Sequence, residues 1–138
     1  MNENVFLDTN ILIYAYSDSD PQKREIALDM INHSISELNL FICTHNLSEF
    51  VSTLIRLRQP ISYIKECIFE LSESFIISPI SHSTIIEAIR LYQNYKFQWF
   101  DSIIIASAIE NNCTTIFTED FNNGQYVDKK LLIKNPFL

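Results

Sequence analysis

Residues 5–15 read VFLDTNILIYA. Val5-Phe6-Leu7 is a short apolar run of strand type that stops on Asp8. Ile11-Leu12-Ile13 resumes the apolar character after only Thr9 and Asn10, with a helix expected from about Asn10. A carboxylate is thereby held between two segments that both belong in a core. The rest of the chain supplies the reason.

Downstream, strand-like and helix-like segments alternate. Asp20-Pro21 offers an N-cap followed by proline at the first helical position, which predicts a helix to about Leu38. Leu40–Cys43 reads as a second strand. Thr44 is placed to cap a third helix in which Leu47, Phe50, Val51, Leu54 and Ile55 keep helical spacing. Pro60 ends that helix and starts another to about Ser72. Phe75-Ile76-Ile77 is a third strand, and Ser81 or Ser83 opens a helix with apolar positions Ile85, Ile86, Ile89 and Tyr92. Trp99–Asn111 is a further helix, Thr114–Phe117 a fourth strand, and Leu131–Ile133 the place for a fifth. The order implies an α/β fold: a mostly parallel sheet of about four or five strands, covered on both faces, in one domain over residues 1–138. One glycine and four prolines leave little material for tight hairpins, which argues against an all-β design.

At 138 residues, 47% hydrophobic and 20% charged, the chain can bury a real core and is expected to be globular. Met1-Asn2-Glu3-Asn4 has no basic start, and no apolar run approaches the roughly 18 residues of a membrane span, so a soluble cytoplasmic protein is expected. Cys43, Cys67 and Cys113 are odd in number and set among apolar neighbours, as core residues of a reducing compartment are. The net charge of −7 argues against a module that grips nucleic acid by its phosphates alone. It is compatible with an enzyme whose acids gather around cations, which reverse the local sign.

Four acids sit at matching places. Asp8 follows the first strand, Glu49 lies early in the helix after the second, and Asp120 stands three residues beyond Phe117. Asp101 opens the intensely apolar helix Ile103-Ile104-Ile105-Ala106. Each has a plain structural alternative: a helix cap for Asp8, a first-turn acid for Asp101, a solvent-facing position for Glu49, and a turn before Asn122-Asn123-Gly124 for Asp120. In a parallel sheet, however, Asp8, Glu49 and Asp120 gather at one edge, where ligands bind. Converging carboxylates in a partly dry cleft repel one another, their pKa values rise, and they call for cations. Hard oxygen donors suit Mg²⁺ or Mn²⁺, while His33, His45 and His82 show no ligand spacing for zinc. The matching chemistry is metal-assisted phosphodiester hydrolysis by an activated water.

The ordered set FLDTNILIYA, LSEF around Glu49, WFDSIIIASAI around Asp101, FTEDFNNGQ around Asp120 and the tail IKNPF resembles the PIN-domain family, and within it the VapC-type ribonuclease toxins of toxin–antitoxin pairs. The resemblance spans essentially the whole chain. It implies a three-layer α/β/α domain with an acidic, Mg²⁺- or Mn²⁺-dependent active site in which Asp8, Glu49, Asp101 and Asp120 are the four acids. It further implies that Asn10 orders the site and that the Thr118 hydroxyl orients Asp120 or a metal water. Glu119, next in sequence, is an alternative to Asp120. The substrate class implied is RNA (a tRNA, rRNA or mRNA) cut endonucleolytically. The partners implied are a cognate antitoxin protein and a second copy in a homodimer.

Positive surface for RNA would have to come from Lys23, Arg24, Arg56, Arg58, Lys65, Arg90 and Lys96, otherwise ordinary solvated helix faces. Tyr92, Tyr95, Phe97, Trp99 and Phe100 are dense enough to be core packing first and a dimer contact second. A receiver-like phosphoacceptor domain would want an acidic pair after the first strand, and a haloacid-dehalogenase-type phosphatase would want D-x-D; Asp8-Thr9-Asn10 offers one acid. The remaining alternative is a non-catalytic acidic module that binds a basic partner protein.

Overall fold

The computed structural model describes residues 2–138. Strand β1 (Glu3–Leu7) leads through Asp8 into helix α1 (Thr9–Tyr16), followed by α2 (Pro21–Ser34) and β2 (Leu38–Cys43). Helices α3 (Thr44–Arg56) and α4 (Ile61–Ser74) precede β3 (Ile76–Ser78). Then come α5 (His82–Tyr95), α6 (Trp99–Glu110), β4 (Thr115–Phe117), β5 (Tyr126–Val127) and β6 (Leu131–Lys134).

The sheet order is β3-β2-β1-β4-β6-β5. All pairings are parallel except β5 with β6. The sheet thus has six strands, not four or five: the two-residue β5 pairs antiparallel through Tyr126 with Leu132 and Val127 with Leu131. Successive strands step outward from β1 in one direction through β2 and β3, then restart on its other side with β4. β1 is therefore the point at which strand order reverses, and Asp8 leaves its carboxyl end.

Alternation along β1 and β2 sends side chains to two cores. Val5 and Leu7 join Leu40 and Ile42 under α1–α4, while Phe6 joins Phe41 and Cys43 under α5 and α6. Helices on both faces make the three-layer α/β/α arrangement. α6 is buried from Ser102 through Ala108, so it has no solvated stripe and Asp101 is the last polar residue before the core.

Several boundaries differ from the sequence expectation for local reasons. α2 ends at Ser34, because Leu38 and Asn39 are already paired with Glu3 and Asn4. Thr44 is the first residue of α3 and does not cap it; the Cys43 amide is bound by Asn46 Oδ1 at 2.8 Å. On α5 the buried positions are Thr84, Ala88 and Leu91, whereas Ile86, Ile89 and Tyr92 are exposed. The inward face is the one with smaller residues, which lets α5 lie close against α6. Cys43, Cys67 and Cys113 are free and buried, and burial pushes the Cys43 and Cys113 thiols up to about 11 and about 12. They are core residues, as expected. Among the described residues no helix is long and apolar enough to cross a membrane.

Candidate functional site

The first helix starts where it does because Asp8 has extended backbone and its Oδ1 accepts from the Thr9 amide at 2.7 Å. The capping role is therefore real, but it uses one carboxyl oxygen. The other, Oδ2, accepts from the Thr118 hydroxyl at 2.8 Å, across the seam between β1 and β4. The ladder of that seam is prolonged one residue past β1 by the Asp8 amide on the carbonyl of Phe117, the last residue of β4, at 3.0 Å, which fixes the backbone behind the carboxylate. Asp8 is 5% exposed.

Thr9 and Asn10 reach different acids. The Thr9 hydroxyl donates to Glu49 Oε1 at 3.0 Å and accepts from Asn46 Nδ2 at 2.9 Å. Asn46 is fully buried and is itself anchored on Cys43, so Glu49 is tied through three polar groups to the end of β2. Asn10 Nδ2 donates to Asp120 Oδ2 at 3.0 Å, and the Asp120 amide donates to Thr118 Oγ1 at 3.1 Å. One tripeptide therefore carries an acid and positions two others. Asp101 lies in the first turn of α6 and forms no side-chain hydrogen bond among the described residues.

Asp8, Glu49, Asp101 and Asp120 line a single cleft of about 530 Å³, together with Thr9, Asn10, Tyr14, Thr53 and Arg56. Burial is the main cause that pushes the Asp8 carboxyl up to about 7, offset in part by the Thr118 and Thr9 bonds and reinforced by Asp120 and Asp101. Burial likewise pushes Asp101 up to about 6, with Asp120 and Glu49 adding repulsion. Two carboxyls are thus held where ionisation is costly, and the donors that face the cleft are hard oxygens. That combination fits a divalent cation of the Mg²⁺ type. Among the described residues no three His, Cys, Asp or Glu side chains are drawn together closely enough to hold an ion as they stand.

The structure separates the two adjacent acids after β4. Glu119 accepts from the Tyr14 hydroxyl at 2.5 Å and pairs with Lys23 Nζ at 2.7 Å, while Asp120 lines the cleft. Glu119 thus stands outside the cleft lining, bound to Tyr14 and Lys23. Lys23 also stacks over the Tyr14 and Phe137 rings, 4.9 and 5.2 Å from their centroids. Sequence reasoning missed Thr9, Asn46 and His45. The His45 Nε2 lies 3.5 Å from Glu49 Oε1, and its ring stacks on Phe100 at 4.9 Å. Thr9 and Asn46, between Asp8 and Asn10 and between His45 and Leu47, carried no distinguishing signal; for His45, which precedes Glu49 by four residues, the signal was helical spacing.

Solved structures share this fold. VapC20 of Mycobacterium tuberculosis, described as a sarcin–ricin loop cleaving toxin, superposes with a TM-score of 0.73 at 15% identity, over 90% of this chain and 97% of that one. VapBC2 of Rickettsia felis, bound to a fragment of promoter DNA, gives 0.74 at 17% identity, over 96% and 98%. A toxin–antitoxin complex from Klebsiella pneumoniae gives 0.72 at 20% identity, over 96% and 97%. No curated protein matches the sequence. The model of the PIN domain family matches residues 5–126, a span that holds all four cleft acids, and the chain belongs to that family.

Proposed function

We propose that the protein is a metal-dependent endoribonuclease and the toxin of a toxin–antitoxin pair. The observation that carries the reading is the convergence of Asp8, Glu49, Asp101 and Asp120 on one cleft at the carboxyl edge of the sheet, two of them with strongly raised carboxyl pKa values. Family membership and the likeness to VapC toxins agree with it.

Asp8, Glu49, Asp101 and Asp120 would hold Mg²⁺ or Mn²⁺. Such a cation supplies Lewis acidity, which activates water as a nucleophile and offsets the charge that develops on the phosphate. The chain's own residues fix where that can happen. Thr118 holds Asp8, Asn10 holds Asp120, and Thr9 with Asn46 holds Glu49, so three carboxylates are fixed in the orientations in which they would be presented to a cation. Asp101, whose side chain forms no hydrogen bond among the described residues, would be the acid able to adjust to ion and substrate. The RNA acted on belongs to the tRNA, rRNA or mRNA class; VapC20, which shares the fold, is described as cleaving the sarcin–ricin loop.

An antitoxin partner is supported by VapBC2 from Rickettsia felis and the toxin–antitoxin complex from Klebsiella pneumoniae, each of which contains a chain with this fold. A homodimer is supported by the exposed apolar stripe of α5, where Ile86, Ile89 and Tyr92 face outward and Tyr92 meets Trp99 edge-on at 6.2 Å.

The second reading is an acidic module that binds a basic partner protein without turnover; it is favoured by the spread of the acids, none of which meets two others at ligand distance. Incubation of the antitoxin-free protein with total cellular RNA in Mg²⁺, in Mn²⁺ and in EDTA separates the two. Discrete fragments that require metal are expected. Intact RNA under all three conditions, from folded protein, would favour the binding module.

A further inference from the structure

The cleft is acidic and the chain carries a net charge of −7, yet the proposed substrate is a polyanion. Beyond the cation that the acids would hold, attraction along the strand needs basic side chains free to meet phosphate. Of the ten lysines and arginines, Lys23 is paired with Glu119, Arg24 with Asp18, and Arg90 with both Glu87 and Asp128. Arg58, Lys65, Lys96, Lys129, Lys130 and Lys134 stand outside the cleft lining. Arg56 is the remaining one. It lines the cleft with the four acids, is exposed, and forms no ion pair or side-chain hydrogen bond among the described residues.

Its place on α3 is informative. Glu49, Thr53 and Arg56 all line the cleft and are separated by four and three residues, so they share one face of the helix. Seven residues of helix put Arg56 about 10 Å further along the axis than Glu49. A phosphate held at Arg56 is therefore not the one at the acids but a neighbour on the same strand. The guanidinium suits it, because its planar fork meets two phosphate oxygens at once. Interaction with the carbonyls that end α3 is the ordinary role for a last-turn arginine, and it does not require the side chain to face a cleft.

We propose that Arg56 grips a phosphate of the RNA strand flanking the scissile one and so sets the path of the strand through the cleft. This rests on the ribonuclease reading above. The test is fluorescence anisotropy of a labelled, mixed-sequence single-stranded RNA in Mg²⁺, titrated with salt, using Asp8→Asn as the parent to hold cleavage off. Adding Arg56→Ala is expected to weaken binding roughly tenfold and to reduce the slope of log affinity against log salt by about 0.7, one phosphate contact. Adding Arg56→Lys restores the slope, since charge is kept, while part of the affinity stays lost. In the otherwise wild-type enzyme, Arg56→Ala raises KM with kcat nearly unchanged, a split that a helix-end role would not produce. Equal affinity and equal slope for parent and Arg56→Ala would overturn this inference alone. No RNA binding by the parent, together with no cleavage by the wild type, would overturn the ribonuclease reading and this inference with it.

Discussion

Asp8 carries two duties that pull on stability in opposite directions. As the N-cap of α1 it contributes about 1 kcal/mol. As a buried acid whose folded-state pKa is about 7, against 3.8 for the exposed group, it binds its proton more tightly in the folded protein than in the unfolded chain. Stability from this group is therefore fully present below about pH 4 and is lost progressively as pH rises toward 7. Asp8→Asn removes that loss. The new amide can still accept the Thr9 N–H, and its NH₂ can donate to Thr118 Oγ1, reversing that bond without breaking it. Thermal unfolding in metal-free buffer should show little difference between variant and wild type at pH 4. By pH 8 the variant is expected to be more stable by on the order of 4 kcal/mol. A variant less stable at pH 8 would make capping the larger role. At the same scale, Thr9→Val keeps the shape but deletes the hydroxyl between Glu49 and Asn46. It strands the buried Asn46 amide, at about 1–3 kcal/mol, and frees Glu49 to swing. RNA cleavage is expected to fall roughly tenfold, read as kcat at saturating metal.

At the scale of elements, strand β1 and the position of Asp8 were legible because a three-residue apolar run is long enough to cross a sheet and an acid cannot continue it. α6 was equally plain from its apolar run Ile103–Ala106, whereas Asp101 was harder to place because no strand directly precedes it. Less could be read where a feature depends on a partner remote in sequence. Nothing near Glu119 says that Lys23, 96 residues away, will draw it off the cleft. β5 is only Tyr126–Val127, too short to show a period, and owes its existence to β6. On α5 three of the four apolar positions read from the sequence, Ile86, Ile89 and Tyr92, are exposed and Ile85 is partly buried, because the buried face carries Thr84 and Ala88 beside Leu91. That exposure points to a use for the outward face. Ile89→Asp places a charge in the α5 stripe, and sedimentation should show a shift from dimer toward monomer with the fold unchanged. A monomeric wild type, or a variant that sediments like it, would remove α5 from the interface.

For the whole molecule, the sheet, the two cores and the strand-order reversal at β1 together bring carboxylates from residues 8, 49, 101 and 120 to one cleft, although they are scattered over most of the chain. The topological rule for parallel sheets was enough to foresee this for Asp8, Glu49 and Asp120. The polar scaffold behind them, from Cys43 through Asn46 and Thr9 to Glu49, was not foreseeable, since each member alone is an ordinary capping or turn residue. The central claim is that this cleft cuts RNA through its acids. It is tested most directly by the rate of metal-dependent cleavage of one mapped RNA by wild type, Asp8→Asn and Glu119→Gln, with folding of each checked by circular dichroism. A loss of at least roughly 100-fold is expected for Asp8→Asn and a change within about fivefold for Glu119→Gln, whose ion pair is a partly exposed tether. A folded Asp8→Asn variant that cleaves as fast as wild type would contradict it.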